Sequence, residues 1–231
     1  GTAGADANNV GVGANALLAV TDGSYNTAVG YQAGDSITSG VSNVLLGRGT
    51  GATMTEADEM VLIGNDAGAS INHATSANGT VAVGYSALAA LTSGTGNVAI
   101  GLSAMQSNVL GADNVAIGKQ ALYTNDGASG NDNNIAIGTD TLYTAGDGSN
   151  VATANIAIGT NALKLNQTGD SNVCVGVSSG DALTAANSCV AIGTSALGAV
   201  ATQDGTVAVG HQALTALTSG AGNVAVGYNA L

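Results

Sequence analysis

Apolar residues along this chain fall in short triplets, each closed by a glycine and separated from the next by polar, turn-forming stretches. Asn97-Val98-Ala99-Ile100-Gly101 is one of thirteen versions of the same phrase, and its glycine serves as a ruler. The anchors are Gly13, Gly30, Gly47, Gly64, Gly84, Gly101, Gly118, Gly138, Gly159, Gly176, Gly193, Gly210 and Gly227. Nine of the twelve intervals are 17 residues, and the other three carry insertions of three or four. The residue before the anchor is Val or Ile in every copy but one, where Leu46 stands, and the residue three before it is Val or Ile except at Thr27. Ala-Leu pairs recur three and four after the anchor, as in Ala87-Leu88 and Ala162-Leu163. Seven after it comes a third apolar position, with Val20, Ile37, Met54, Ile71, Leu91, Leu183, Val200 and Leu217.

The period of two within Val-Ala-Ile predicts a short strand with Val and Ile on one face. Glycine then turns the chain, because it reaches positive φ without a steric penalty. Seventeen residues are too few for a strand, a helix and two loops, but they suit one coil of a solenoid with two or three short strands. The expected fold is all-β: a parallel β-solenoid or β-roll of about 13 coils covering residues 1–231 as a single rod, with no internal domain boundary and trimeric in assembly. Coils stacked about 4.8 Å apart give a rod about 62 Å long. The insertions are placed in turns, around 71–78, 125–133 and 145–154.

Four residues before the anchor, Asn occupies nine of thirteen copies, among them Asn26, Asn43, Asn97, Asn114 and Asn172. Two readings stand: an amide ladder joining successive coils, or a turn residue chosen for its tolerance of the left-handed region. The middle strand residue raises a different expectation. With Val and Ile inside, the intervening Ala28, Ala82, Ala99, Ala116, Ala136, Ala157, Ala191, Ala208 and Ala225 would form an uncharged outward stripe. Such a stripe suits packing about an axis, hence a homotrimer with these alanines at its interface.

Composition narrows the alternatives. There are 36 glycines and no Pro, Phe or Trp. Collagen is excluded by the absence of a three-residue glycine period and of proline, and disorder by the 45% hydrophobic content beside only 8% charged residues. No apolar run approaches the roughly 20 residues that span a bilayer as a helix, so no membrane insertion is expected. Three Lys and Arg against fifteen Asp and Glu leave a net charge of −12, and the few cations are scattered. Nucleic acid is therefore not expected as a partner. Charge repulsion between rods opposes nonspecific clumping.

The repeated phrase Asn-Val-Ala-Ile-Gly resembles the head repeats of trimeric autotransporter adhesins. The longer phrase from Asn26 through Ala33, and that from Asn223 through Leu231, resemble repeats of phage tail fibres. The resemblance covers the whole chain. It implies a trimeric β-roll, extracellular, on a cell surface or on a virion, that supports attachment to a host surface glycan or protein. The coil here is longer than the autotransporter head repeat, and no neck, coiled-coil stalk or anchor is seen, which favours the fibre shaft. The chain begins at Gly1 without an initiator Met, as a mature product or an excerpt would. The anchors span 214 residues, leaving one 17-residue coil, so one copy could continue another in phase. A head-to-tail filament subunit is therefore the alternative to an excerpt of a longer fibre. An ice-binding or calcium-binding solenoid ranks below both.

No catalytic constellation is legible, no cofactor is expected, and the chain is read as a non-enzyme. His73 and His211 have no positioned nucleophile or carboxylate in a local motif. The glycine phrases lack the lysine of a phosphate loop. Cys174 and Cys189 fall on adjacent coils at offsets too distant to bridge, so both are expected as buried thiols behaving as small hydrophobes. Asp126, Asn131, Asp132 and Asn133 in one insertion, with Asp147, Ser149 and Asn150 in the next, are weak candidates for a hard cation, although the same residues are ordinary turn formers. The position after the anchor carries Tyr31, Arg48, Tyr85, Lys119, His211 and Tyr228. These are candidates for receptor contact, against the plainer reading that they shield the turn edge. Ice binding would need a flat threonine lattice, which turns such as Thr92-Ser93-Gly94 do not supply.

Overall fold

The computed structural model of the chain describes residues 8–71, 78–125, 130–146, 151–199 and 204–231, and every regular element among them is a β-strand. Thirteen three-residue strands, running from Val10–Val12 to Val224–Val226, form one parallel sheet in sequence order. Each pairs in register with its counterpart on the next coil: Val98 lies beside Val115, Ala99 beside Ala116 and Ile100 beside Ile117. The chain is thus a parallel β-solenoid with a period of about 17 residues. The register survives the longer intervals, since Val115 pairs with Ile135 and Ile135 with Ile156. Two further strands, Thr124–Asn125 and Thr144–Ala145, form a small second sheet beside two of the insertions. In the other described coils one strand suffices where two or three were expected, and the remainder is turn.

The anchors behave as their sequence position requires. All thirteen hold φ between 127° and 142°, a region L-residues rarely enter. They also stack on one another so closely that a Cβ added to Gly159 would lie 2.5 Å from the Gly176 carbonyl oxygen. The position four after the anchor is less ordinary. Leu17, Leu88, Met105, Leu122, Leu142, Leu163, Leu197 and Leu214 adopt left-handed φ of 48–54°. That conformation costs about 1–2 kcal/mol per residue. Full burial of a leucine is worth about 1.5–3 kcal/mol, enough to hold the turn in place.

The strand faces are reversed from expectation. Ala28, Ala82, Ala99, Ala116, Ala136, Ala157, Ala191, Ala208 and Ala225 point into the coil and are buried, while the flanking Val and Ile point outward and none of them is buried. The alanines therefore cannot form an interface stripe. Room decides the matter: the coil is so narrow that the leucine four after the anchor and the apolar residue seven after it leave the strand centre space for little more than a methyl group.

Where the strand centre is larger, the coil compensates. Leu45, Leu62 and Cys174 replace the central alanine, and in those three coils the position four after the anchor is Gly51, Gly68 and Gly180. A Cβ at Gly180 would stand 2.5 Å from Cys174 Sγ, and one at Gly68 would stand 2.8 Å from a Leu62 methyl. Asn108 and Asn166 take the apolar position seven after the anchor, and there each amide closes a pair of bonds across its own turn. Asn108 Oδ1 accepts from the Gly111 N–H at 2.8 Å while its Nδ2 donates to the Gly111 carbonyl at 3.3 Å.

The asparagines four before the anchor form the amide ladder. Asn26 is buried; its Oδ1 accepts the Asn43 N–H at 3.1 Å and the Asn43 side-chain amide at 2.9 Å, and its Nδ2 donates to the Gly40 carbonyl at 2.7 Å. The same linkage runs from Asn97 through Asn114, Asn134 and Asn155 to Asn172. It is interrupted where Met60, Thr80, Cys189 and Thr206 stand at that position. Thr80 Oγ1 and Thr206 Oγ1 are buried there without a hydrogen-bond partner. A second ladder, six before the anchor, was not anticipated. Asp58, Asn78, Asp132, Asp170, Asn187 and Asp204 each accept a main-chain N–H from the preceding coil at 2.7–3.0 Å. The two ladders reach in opposite directions along the rod.

Candidate functional site

Because the alanines face inward, the outer side of the sheet carries two columns of larger side chains. Its twenty-six outward positions, two on each of thirteen strands, are all Val, Ile or Leu except Thr27. Ile100, Ile117, Ile158 and Ile192 are each 37–40% exposed in the single chain. The face is uncharged and periodic, and it offers no threonine lattice of the kind ice binding would use. Parallel sheets are ordinarily covered on both faces, and this one is covered on one.

Around the glycine corner lies the column one after the anchor. Tyr31, Arg48, Tyr85, Lys119, His211 and Tyr228 are all exposed on it. Tyr31 and Arg48 occupy neighbouring coils, and Arg48 Nη1 reaches Asn65 Oδ1 at 3.4 Å on the coil beyond. His211 stacks on Tyr228 with ring centroids 5.2 Å apart. Tyr85 and Lys119 are separated by the coil bearing Leu102, so the six residues form two pairs and two single sites along one edge rather than one patch.

The structure also assembles a group that the sequence reading passed over. Tyr123, Tyr143 and Lys164 all stand five after an anchor, and stacking brings them into one column. The tyrosine rings are parallel at 5.0 Å, and Lys164 Nζ lies 5.9 Å from the Tyr143 ring centroid and 3.8 Å from Asp140 Oδ2. Burial, then the neighbouring Tyr123 and Asp140, raise the Tyr143 hydroxyl pKa. The shared offset from Gly118, Gly138 and Gly159 was the available signal.

Of the cation candidates, Asp126, Asp147, Ser149 and Asn150 lie outside the described residues, as does His73, weighed above as a catalytic residue. Asn131 is fully buried, its Nδ2 donating to the Ala145 carbonyl and its Oδ1 accepting the Ala152 N–H. Asp132 Oδ1 accepts the Ala112 N–H at 2.7 Å. Both side chains thus join coils to one another. Among the described residues no group of three or more His, Cys, Asp or Glu side chains is placed to hold a metal ion.

Cys174 and Cys189 are buried thiols, as expected, with no disulfide between them. Cys174 fills a strand centre. Burial drives its thiol pKa far up, with the neighbouring Cys189 and Asp181 adding to the effect; burial raises that of Cys189 as well. Activated nucleophilic thiols have a lowered pKa, the opposite of the direction burial imposes on both. Among the described residues no helix is long and apolar enough to cross a membrane. Neither a protein-family model nor a curated protein matches the chain.

Proposed function

We propose that the chain is a non-enzymatic structural rod: a segment of an extracellular or virion fibre, of tail-fibre or trimeric-adhesin type, that supports attachment to a host surface. The observation that carries this reading is the continuity of coupling along the rod. Every strand pairs in register with the next, and the two side-chain ladders link coils in opposite directions. Tension along the axis is then carried by main-chain hydrogen bonds between successive coils, reinforced by side-chain bonds wherever a ladder residue stands. The function is to hold a binding element at a distance, with the exposed Tyr31, Arg48, Tyr85, Lys119, His211 and Tyr228 edge available for glycan or protein contact, and the working unit is a homotrimer.

Immunogold labelling of intact source cells and particles tests this reading. Label along projecting fibres is the expected result; label confined to the cell interior overturns it.

A further inference from the structure

We infer that the aliphatic sheet face is the surface through which copies of this chain pack on one another. This rests on the homotrimer proposed above and moves its interface from the alanines, which are buried inside each coil, to the Val and Ile columns that flank them.

Three properties of the face point to a second copy as its occupant. Its size is sufficient. Twelve steps of about 4.8 Å by three residues of about 3.3 Å give roughly 570 Å² per chain. Three such faces turned on a common axis bury roughly 1,700 Å² in the assembly, above the approximately 1,000 Å² that a specific interface needs. Its charge is right: each chain carries −12, yet none of the twenty-six outward positions is charged, so like-charged rods can approach here without burying a carboxylate.

Its period is the most discriminating property. The columns repeat at every coil, and the register runs unbroken past the longer intervals, as at Val115, Ile135 and Ile156. The insertions therefore leave the face undisturbed. A partner that interdigitates along the whole length must present side chains at the same spacing, and a second copy of this chain does so by construction. Branched Val and Ile suit this role, because they are stiff at χ1 and lose little freedom when covered.

The test is the solution mass of the purified chain and of Ile117→Glu/Ile158→Glu, which places charge on the face without altering the coil interior. Light scattering of the unaltered chain is expected to give three times the 21.9 kDa chain mass. The double variant is expected to fall threefold to the single-chain mass while keeping its β-sheet circular dichroism. If the unaltered chain is a dimer that the variant dissolves, the face stands and the threefold order falls. An oligomer that the variant leaves intact overturns the face while the homotrimer survives. A folded single chain in the unaltered protein overturns both.

Should the double variant fail to fold, Ile117→Cys provides the second measurement. Mild oxidation is expected to link it covalently to another copy, whereas Glu56→Cys, exposed away from the sheet, stays single. Equal linkage at both sites, or none at Ile117→Cys, overturns the proposal.

Discussion

Leu45 occupies the space that a side chain at Gly34 would need: a Cβ added to Gly34 would lie 2.6 Å from Leu45 Cδ1 on the next coil. Interior volume in this rod is therefore exchanged between the strand centre and the turn four residues after the anchor. Leu at one position excludes Leu at the other.

That exchange predicts a specific coupling. Ala116→Leu overfills a coil whose turn already holds the buried Leu122 and is expected to cost about 1–3 kcal/mol. Adding Leu122→Gly frees that space and should recover part of the loss. Denaturant titrations of the two single variants and the double variant are expected to give a favourable coupling of at least about 0.5 kcal/mol. Strict additivity would refute the exchange.

The amide ladder predicts opposite outcomes at two kinds of site. Asn114→Ala strands the Asn134 N–H, which the Asn114 side chain now serves. Each unsatisfied buried group costs about 1–3 kcal/mol. Thr206→Asn instead inserts the majority residue where a buried hydroxyl has no partner, and is expected to stabilise by about 1 kcal/mol. Melting temperatures of the two variants should move in opposite directions.

Anchor glycines should be less replaceable than turn glycines. Gly159→Ala meets both positive φ and the Gly176 carbonyl, whereas Gly222, at φ 70°, has nothing within 4 Å of an added Cβ. Backbone strain of this kind costs of order 1–3 kcal/mol. Gly222→Ala should remain near the low end, and Gly159→Ala should exceed it because of the collision.

The thiols predict a pH dependence. Burial raises the Cys174 pKa above its unfolded value, near 8.5 for an ordinary cysteine. The folded state keeps its proton while the unfolded state loses it. Stability associated with this group is thus intact below about pH 8.5 and declines as pH rises further. Cys174→Ala, which installs the common residue of the strand centre, should flatten that decline. Neither native thiol should react with a disulfide reagent until the chain unfolds.

Much of the architecture was legible in the sequence because its physics is local. A glycine recurring at 17-residue intervals, Val and Ile two apart, and Asn at a fixed offset before Gly30, Gly47 and Gly101 determined the solenoid, its turns and its period. The two readings of this asparagine differed in whether Asn26 reaches Asn43 or holds a left-handed turn; stacking brings the two within hydrogen-bonding distance, and the left-handed residue is Tyr25. Stacking also united Tyr123, Tyr143 and Lys164, whose common offset is visible only once coils are laid over one another.

The direction of each face was decided by the tertiary structure alone. Alternation in Val98-Ala99-Ile100 says that Val and Ile share a side, but it is symmetric with respect to inside and outside. The choice is made when the coil closes. Its small cross-section admits Leu88 and Leu91 from the turns together with Ala82 from the strand, all three buried, and the larger strand residues are left outside. The sequence by itself determined a repeating coil; only closure of that coil decided that the strand's alanine joins the core and that its flanking valine and isoleucine lie on the surface.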